Sequence, residues 1–352
     1  MTTDTLPETM FAWRKHKGLM EPVWEEVPIP EVSPTGVLCK MIASGVCHSD
    51  HTLVTLEMQP KHFHDQFTLG HEGCGEIVKV GDQVTEFQVG DIVAMYPVPG
   101  CGAADCTECA RDLPQLCPSG HHSGIGQDGF FAPYAAVDQR ALVLVPDGVT
   151  PSVAAIACDA VTTAYHAVTT RGKVNPTDLV FLFGIGGLGF NGLQILRHLG
   201  ARVIISEINQ DLLDAAEAMG IPKEDLAPAK SLPTEFVKEA GLEEKIDVVI
   251  DFVGTHQTFS DAQRIVRHGG KIISVGSFDL ENTLHMKIAS RKALTFVFSY
   301  GGQIKDLKEV LALIAQGKIQ PRVENAMLED FWATVKDMHA GKLKSRIALL
   351  HG

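Results

Sequence analysis

Two side chains of matching chemical softness stand close in this sequence: Cys47 in Gly45-Val46-Cys47-His48-Ser49-Asp50, and His71 in Gly70-His71-Glu72-Gly73-Cys74-Gly75. A thiolate and an imidazole are donors that zinc prefers, and a catalytic zinc needs three protein ligands with a fourth position left open. Glycines beside both residues let the backbone turn sharply and approach a ligand closely. Ser49, two residues past the cysteine, would place a hydroxyl beside anything bound at the open position. Glu72, next to His71, could support the metal, ligate it transiently, or pair with a buried cation.

A second concentration of sulfur lies in Cys101-Gly-Ala-Ala-Asp-Cys106-Thr-Glu-Cys109 and Cys117. Four thiolates in so short a span can close a tetrahedral zinc site and fix a loop that has little core of its own. All eight cysteines fall between Cys39 and Cys158. A secreted disulfide scaffold would be short and would spread them, so this clustering favours metal ligation inside the cell.

A third pattern points to a dinucleotide. Leu179-Val180-Phe181-Leu182-Phe183 is a continuous apolar run, as expected of a strand buried on both faces. Gly184-Ile185-Gly186-Gly187-Leu188-Gly189 follows at once, then an amphipathic helical stretch to Leu199, then Arg202 to Ser206 closed by Glu207. A lone GxGxxG is weak, but between a buried strand and a helix, with an acid ending the next strand, it is a dinucleotide fingerprint. The glycines bring backbone to the pyrophosphate, and the helix N-terminus supplies unpaired amides and the positive end of its dipole. Glu207 would accept from both adenosine ribose hydroxyls and repel a 2′-phosphate, so NAD is favoured over NADP.

These sites need elements to hold them. Up to about residue 150 short apolar runs alternate with Gly and Pro, as in Val37 to Ile42, Gly75 to Val84 and Asp91 to Met95, which predicts a partly closed β-barrel. From about 178 to 295 strand and helix alternate, with further strands at Asp247 to Phe252 and Lys271 to Val275, which predicts a doubly wound parallel sheet. A chain of 352 residues is long enough for two such cores. Apolar content of 45% and charged content of 21% are those of a globular protein, and a net charge of −13 argues against a nucleic-acid surface. Met1 to Met10 is polar and acidic, with no secretory pattern, and no apolar run reaches membrane-spanning length. No membrane partner and a cytoplasmic location are expected.

The text from Gly70-His71-Glu72 through Val80-Gly81 to Gly90-Asp91-Ile92-Val93, with Cys47 and the glycine-rich turn, resembles the zinc-dependent alcohol dehydrogenases of the medium-chain dehydrogenase/reductase family, over nearly the whole chain. The resemblance implies a GroES-like catalytic domain over 1–155 and 295–352, made discontinuous by a tail strand that folds back, and a Rossmann domain over 156–294. It implies one catalytic and one structural zinc, an alcohol as small-molecule substrate, and a homodimer or homotetramer. Cys47 and His71 match two catalytic ligands. Counted back from Thr163 and Tyr165, the third falls on Asp159, where the commonest family pattern has cysteine; Cys158 stands one place early, and helix geometry lets only one of the two face the metal. In the sulfur lobe Cys106, Cys109 and Cys117 keep the family spacing, but Ala103 occupies the first position and Cys101 lies two residues before it. Ser49 takes the place of the proton-accepting hydroxyl. The relay histidine of relatives falls at Thr52, with His51 one place early, so His51 is a candidate relay residue or an exposed histidine. His48 and Arg346 resemble residues set against the pyrophosphate, and Thr163, Leu188, Val253, Val275 and Gly276 fall where relatives touch the cofactor. Leu53, Met58, Tyr96, Phe296 and Phe298 are candidates for an apolar substrate pocket, and Asp50 for orienting a ligand. The competing expectations are a zinc-free NADPH-dependent quinone or enone reductase, opposed by Cys47, His71 and Glu207, and a non-catalytic dinucleotide-binding protein, opposed by Ser49.

Overall fold

The computed structural model describes residues 6–352, so the first half of the acidic Met1 to Met10 segment lies outside the described residues. The chain divides into two compact units. One takes the chain up to Ala160 with Gln303–Ala315 and Pro321–Gly352; the other takes Val161–Gly302 and Gln316–Gln320.

In the first unit the strand Gly36–Val46 is the hub. It pairs antiparallel with Gly73–Val80 on one side and with the tail strand Arg346–Leu350 on the other, while Tyr134–Asp138 pairs along its first half. Ile92–Met95, Leu142–Leu144 and Val323–Met327 complete a seven-stranded sheet among the described residues. Its apolar side chains feed two clusters. Val37, Cys39, Met41, Ile77, Val93 and Met95 close one end. Val46, Leu53, Phe67, Phe131, Phe331 and Leu349 fill the other, joining the tail strand and the helix Phe331–His339 to the strand hub. Burying such side chains is worth roughly 1.5–3 kcal/mol each, so the tail is part of the core.

The register decides what meets at the end of this sheet. Ser44 faces Gly73, and Val46 faces Ile347. Cys47 therefore leaves the hub strand at the same end where His71 and Glu72 enter the next strand and where Arg346 begins the tail strand. Gly45 makes room for this: a Cβ there would stand 1.8 Å from Glu72 Oε2.

The second unit is a five-stranded parallel sheet, among the described residues, in the order Arg202–Ser206, Leu179–Phe183, Ile246–Asp251, Val266–Ser274, Thr295–Phe298. Strand order reverses between Leu179–Phe183 and Ile246–Asp251, and Gly184 follows the first of these directly. Ligands of open α/β sheets bind at such a switch point, at the carboxyl ends of the strands. Two expected boundaries shift. The resemblance places residues from 295 in the catalytic domain, but Thr295–Phe298 pairs with Val266–Ser274, so the second unit runs to Gly302. Residues 316–320 join it because the Gln194 side chain exchanges hydrogen bonds with Gln320 N and O, at 2.8 and 3.2 Å. The first unit extends past residue 155 to Ala160. Among the described residues no helix is long and apolar enough to cross a membrane.

One fastening near the end of the chain titrates. Ser44 Oγ donates to the Phe130 carbonyl at 2.8 Å and lies at hydrogen-bond distance, 2.9 Å, from His351 Nε2. Burial pulls the His351 pKa down from 6.5 to about 4, against the raising effect of the Ala132 backbone. A histidine whose folded pKa is depressed contributes stability present in full above 6.5 and lost as pH falls towards 4. The loss should reach up to about 3 kcal/mol. Thermal unfolding followed from pH 7.5 to 4.5 should therefore fall less steeply for His351→Gln than for the parent chain, and parallel curves would refute the assignment.

Candidate active site

Cys47 ends the hub strand and caps the helix His48–Val54, with extended φ and ψ of −127° and 158°. Its backbone N–H donates to Asp50 Oδ2 at 2.8 Å, which fixes the first turn of that helix. Asp50, fully buried, turns its other oxygen to His71 Nδ1 at 3.2 Å. Asp159 lies in a π-helical turn, Ala157–Val161, that continues the helix Pro151–Ile156. Such wide turns recur at functional sites because they redirect one residue of a helix. Asp159 Oδ2 stands 3.7 Å from Cys47 Sγ and 3.7 Å from His71 Nε2. Cys47, His71, Glu72 and Asp159 each place a ligand atom within 4.8 Å of all the others. Cys158 faces elsewhere, its thiol on the carbonyls of Gly73 at 3.4 Å and Ala154 at 3.3 Å, and burial drives its pKa well up.

The cluster's donors fit a cation. His71 Nε2 and Glu72 Oε2 are buried and make no hydrogen bond. Buried polar atoms are normally satisfied, so lone pairs converging without donors mark a point built for positive charge. The field agrees: burial would lower the pKa of His71, yet Asp50 and then Asp159 outweigh it and hold it well above the ordinary imidazole value. Burial pushes Glu72 up to about 7, against the pull of Arg346, whose guanidinium donates to Glu72 Oε1 and is itself buried. Cys47, Asp159 and a neutral His71 would present two negative charges, which balances a divalent ion. A thiolate, an imidazole and a carboxylate with one open position are within zinc's catalytic repertoire. Ser49 Oγ stands 3.7 Å from Cys47 Sγ at the exposed rim.

The sulfur lobe is separate from this cluster. Cys101 Sγ lies 3.8 Å from Cys109, and Cys106 lies 3.6 Å from Cys117. All four sulfurs fall within 4.8 Å of one another, Cys101 included despite its displaced position in the sequence. Gly100, at φ +71°, lets the chain pass Cys109: a Cβ there would stand 2.7 Å from that sulfur. Arg140 and Gln303 fasten the lobe to the rest of the unit, at the Gly100 and Asp112 carbonyls.

In the second unit each glycine of the turn does a different thing. Gly184 sits at φ +77°, open only to glycine at low cost. A Cβ on Gly186 would meet nothing within 4 Å, so this backbone faces open space that a pyrophosphate could fill. A Cβ on Gly189 would stand 2.0 Å from the Gly184 carbonyl, so Gly189 lets the helix Gly189–Leu199 close on the strand. Glu207 accepts from Ile185 N at 2.8 Å, Ile208 N at 2.8 Å and Asn209 N at 3.0 Å, which locks its carboxylate beside the turn. Val253 and Gly254 follow the next strand and donate to Asp251 Oδ1, both at 2.9 Å. Gly254 packs on Gly276, beside Val275. Thr163 is buried on the helical stretch Thr162–Tyr165. Sequence reasoning missed Asp251: a carboxylate ending an apolar strand, buried with the turn it organises, gives no local motif.

The five apolar pocket candidates lie in different surroundings. Leu53 belongs to the core of the first unit and Phe296 packs on that of the second, while Met58 and Phe298 are 85% and 65% exposed. Tyr96 is buried.

Comparison with known proteins follows the same division. Residues 33–147 match the alcohol dehydrogenase GroES-like domain, and residues 187–316 match the zinc-binding dehydrogenase family. An alcohol dehydrogenase of Geobacillus stearothermophilus is 30% identical over 335 residues, covering 92% of this chain and 94% of that one. An NAD-dependent alcohol dehydrogenase of Sulfurisphaera tokodaii is 29% identical over 341 residues, covering 93% and 95%. Among solved structures, acetophenone reductase from Geotrichum candidum in complex with NAD superposes with a TM-score of 0.88 at 28% identity, covering 98% of each chain. Fold and cluster thus define a dinucleotide-dependent dehydrogenase built to hold metal. The chain belongs to the zinc-type alcohol dehydrogenases of the medium-chain dehydrogenase/reductase family.

Gly189→Ala tests the turn directly. Its methyl group cannot fit against the Gly184 carbonyl, so the helix must move, at a cost of about 1–3 kcal/mol. NADH binding, read by fluorescence, should weaken strongly in a chain that still folds; parent-like affinity would show that the turn tolerates the side chain.

Proposed function

We propose that this chain catalyses reversible hydride transfer between an alcohol and NAD+, giving an aldehyde or ketone, with Cys47, His71 and Asp159 as the ligands of a catalytic zinc. The observation that carries the reading is the meeting of a buried thiol and imidazole with a half-buried carboxylate from three separate segments, with His71 Nε2 and Glu72 Oε2 lacking hydrogen-bond partners. When bound, the metal supplies Lewis acidity towards the alcohol hydroxyl, and NAD supplies the hydride acceptor.

The chain's own residues do the rest. Asp50 orients His71 through Nδ1, which leaves Nε2 as the ligating atom. Ser49 accepts the substrate's proton from its place at the rim and passes it towards the cofactor ribose and solvent, with His51, in the same helix, the candidate relay residue. Glu72, which burial pushes up to about 7 against the pull of Arg346, is a reserve carboxylate beside the metal site. Arg346, with His48, also faces the cofactor's pyrophosphate in this reading; a guanidinium can serve a carboxylate and a phosphate with different N–H groups. Gly184, Gly186, Gly187, Leu188 and Gly189 cradle that pyrophosphate, Glu207 takes the adenosine ribose, and Thr163, Val253, Val275 and Gly276 flank the cofactor. Cys101, Cys106, Cys109 and Cys117 hold a structural zinc.

The substrate is an alcohol whose class a screen of NAD+ reduction over short, long-chain and aromatic alcohols would decide. The solved relative named for acetophenone makes secondary aromatic alcohols the first to try. A homodimer or homotetramer belongs to the same proposal. Thr295–Phe298 is an edge strand, and Phe278, Leu280, Met286 and Phe298 in and before it are all more than 60% exposed. Unpaired edges and apolar patches of this kind invite a second copy. A cytoplasmic location suits eight cysteines that form no disulfide.

Two measurements test the assignment. The parent chain should carry two zincs. Asp159→Ala should lose one of them and its turnover, while Cys158→Ala should keep both metals and most of its activity. A dead, zinc-depleted Cys158→Ala beside an active Asp159→Ala would overturn the ligand set. For the cofactor, NAD+ should be used far better than NADP+, and Glu207→Gln should narrow the gap in kcat/KM. Equal use of both cofactors by the parent chain would remove Glu207 from its role.

A further inference from the structure

The loop that carries His122 is clamped onto the end of the first unit's sheet where the metal cluster lies. Gly73 pairs with Met95 there, so His71, just before the one strand, and Pro97, just after the other, leave the sheet at the same end. The Ser123 backbone N–H donates to the Pro97 carbonyl at 3.0 Å, and Phe130 N–H donates to the Gly70 carbonyl at 2.9 Å. Gly124, at φ +74°, sits so close to Gly70 that a Cβ on it would stand 2.1 Å from that carbonyl oxygen. His122 is thus carried between the residue before His71 and the residue after Tyr96, on a tight turn closed by Ile125 N–H on the His122 carbonyl at 3.1 Å.

The backbone of His122 is tied down, but its ring is not. The half-buried imidazole makes no hydrogen bond among the described residues. It lies near enough to the cluster for both His71 and Asp159 to act on its charge: burial first and His71 second pull its pKa down from 6.5 to about 4, with Asp159 opposing them. The adjacent His121 is different, exposed and engaged by Asp128 and Gln127. Polar groups taken out of water are normally partnered, so a ring set into the wall beside the cluster with both nitrogens free suits a partner from outside the chain.

We propose that His122 is a specificity-determining residue of this site: its ring bonds a second hydroxyl on the substrate, so the preferred substrates are alcohols with a hydroxyl on the carbon next to the reacting one. The inference deepens the dehydrogenase reading of the cluster and rests on it. A neutral imidazole offers one N–H and one lone pair, and a hydroxyl is the small group that can meet either. A carboxylate in the same place would bring a further anion beside Cys47 and Asp159, whose charges already match a divalent ion. An apolar substituent would shield the ring from water and leave it unpaired, and sites built to bond a hydroxyl reject the analogue that lacks it. Because the His122 loop rests on the residue preceding His71, the oxygen it meets must lie close to the oxygen at the metal, which selects a neighbouring hydroxyl over a distant one.

The test compares 2-butanol with 2,3-butanediol, which differ by that one hydroxyl, on the zinc-loaded protein. The parent chain should favour the diol in kcat/KM by about tenfold, the size of one hydrogen bond to an otherwise unpaired ring. His122→Phe, which keeps a flat ring without polar atoms, should abolish the preference, whereas His122→Asn, which keeps a donor and an acceptor, should restore part of it. Zinc content and NADH binding should match the parent in both variants, and the same two readings show that each has folded. A second measurement needs no turnover. With NADH bound and histidine labelled with ¹⁵N, 2,3-butanediol should shift the His122 ring resonances and 2-butanol should leave them in place. Equal kcat/KM for the two alcohols in the parent chain, or a preference that survives His122→Phe, overturns the proposal, as does a His122 signal that the diol leaves unmoved. A parent chain that oxidises no alcohol strikes the dehydrogenase reading instead, and the titration with NADH bound still decides whether the ring meets a hydroxyl.

Discussion

The pairing of Ser44 with Gly73 and of Val46 with Ile347 is the constraint on which the first unit's chemistry depends. A slip of one residue in either pairing would turn every side chain of a strand to the opposite face. In the observed register Cys47, His71, Glu72 and Arg346 emerge at one end of one sheet, and apolar clusters on either side hold that register. Asp159 is brought to the same place from above, by a helix packed on these strands whose π turn aims one carboxylate inward.

Charge completes what register begins. Burying Cys47 and Glu72 beside a half-buried Asp159 would be costly without compensation, since an unpaired buried anion costs several kcal/mol. Arg346 cancels Glu72, and the remaining pair has the charge to balance a divalent cation. The carboxylate at Asp159 is a harder donor than a thiolate, so a metal held there would keep more of its positive character for an alcohol oxygen. Packing and electrostatics therefore point the same way: a well-packed sheet end that is electrostatically incomplete.

Local text carried some of this and not the rest. The apolar strand, the glycine-rich turn and Glu207 could be read in sequence because they are contiguous, and each glycine of the turn has a steric reason visible in the fold. The sulfur lobe was legible from density of cysteine, although Cys101 reaches the group only through a turn at Gly100 that spacing does not reveal. The placement of 295–302 was not legible, because one strand's membership depends on which edge it pairs with. Nor were the Glu72–Arg346 pair or the seat of Asp251: the first joins residues distant in sequence, and the second hides a polar group in apolar text.

The tail strand has a consequence for how the molecule is made. A ribosome releases the hub strand Gly36–Val46 and its partner Gly73–Val80 early, but Arg346–Leu350 emerges among the final residues. The second unit, nearly continuous over Val161–Gly302, can fold as soon as it clears the exit tunnel. The first must wait with one edge of its hub strand open and Glu72 lacking its guanidinium partner. Metal capture by a half-made sheet would then compete with collapse around an uncompensated carboxylate. In the growing chain the order of completion inverts the order of synthesis: the later-made unit is the first able to finish, and the cluster begun at Cys47 is among the last parts to close.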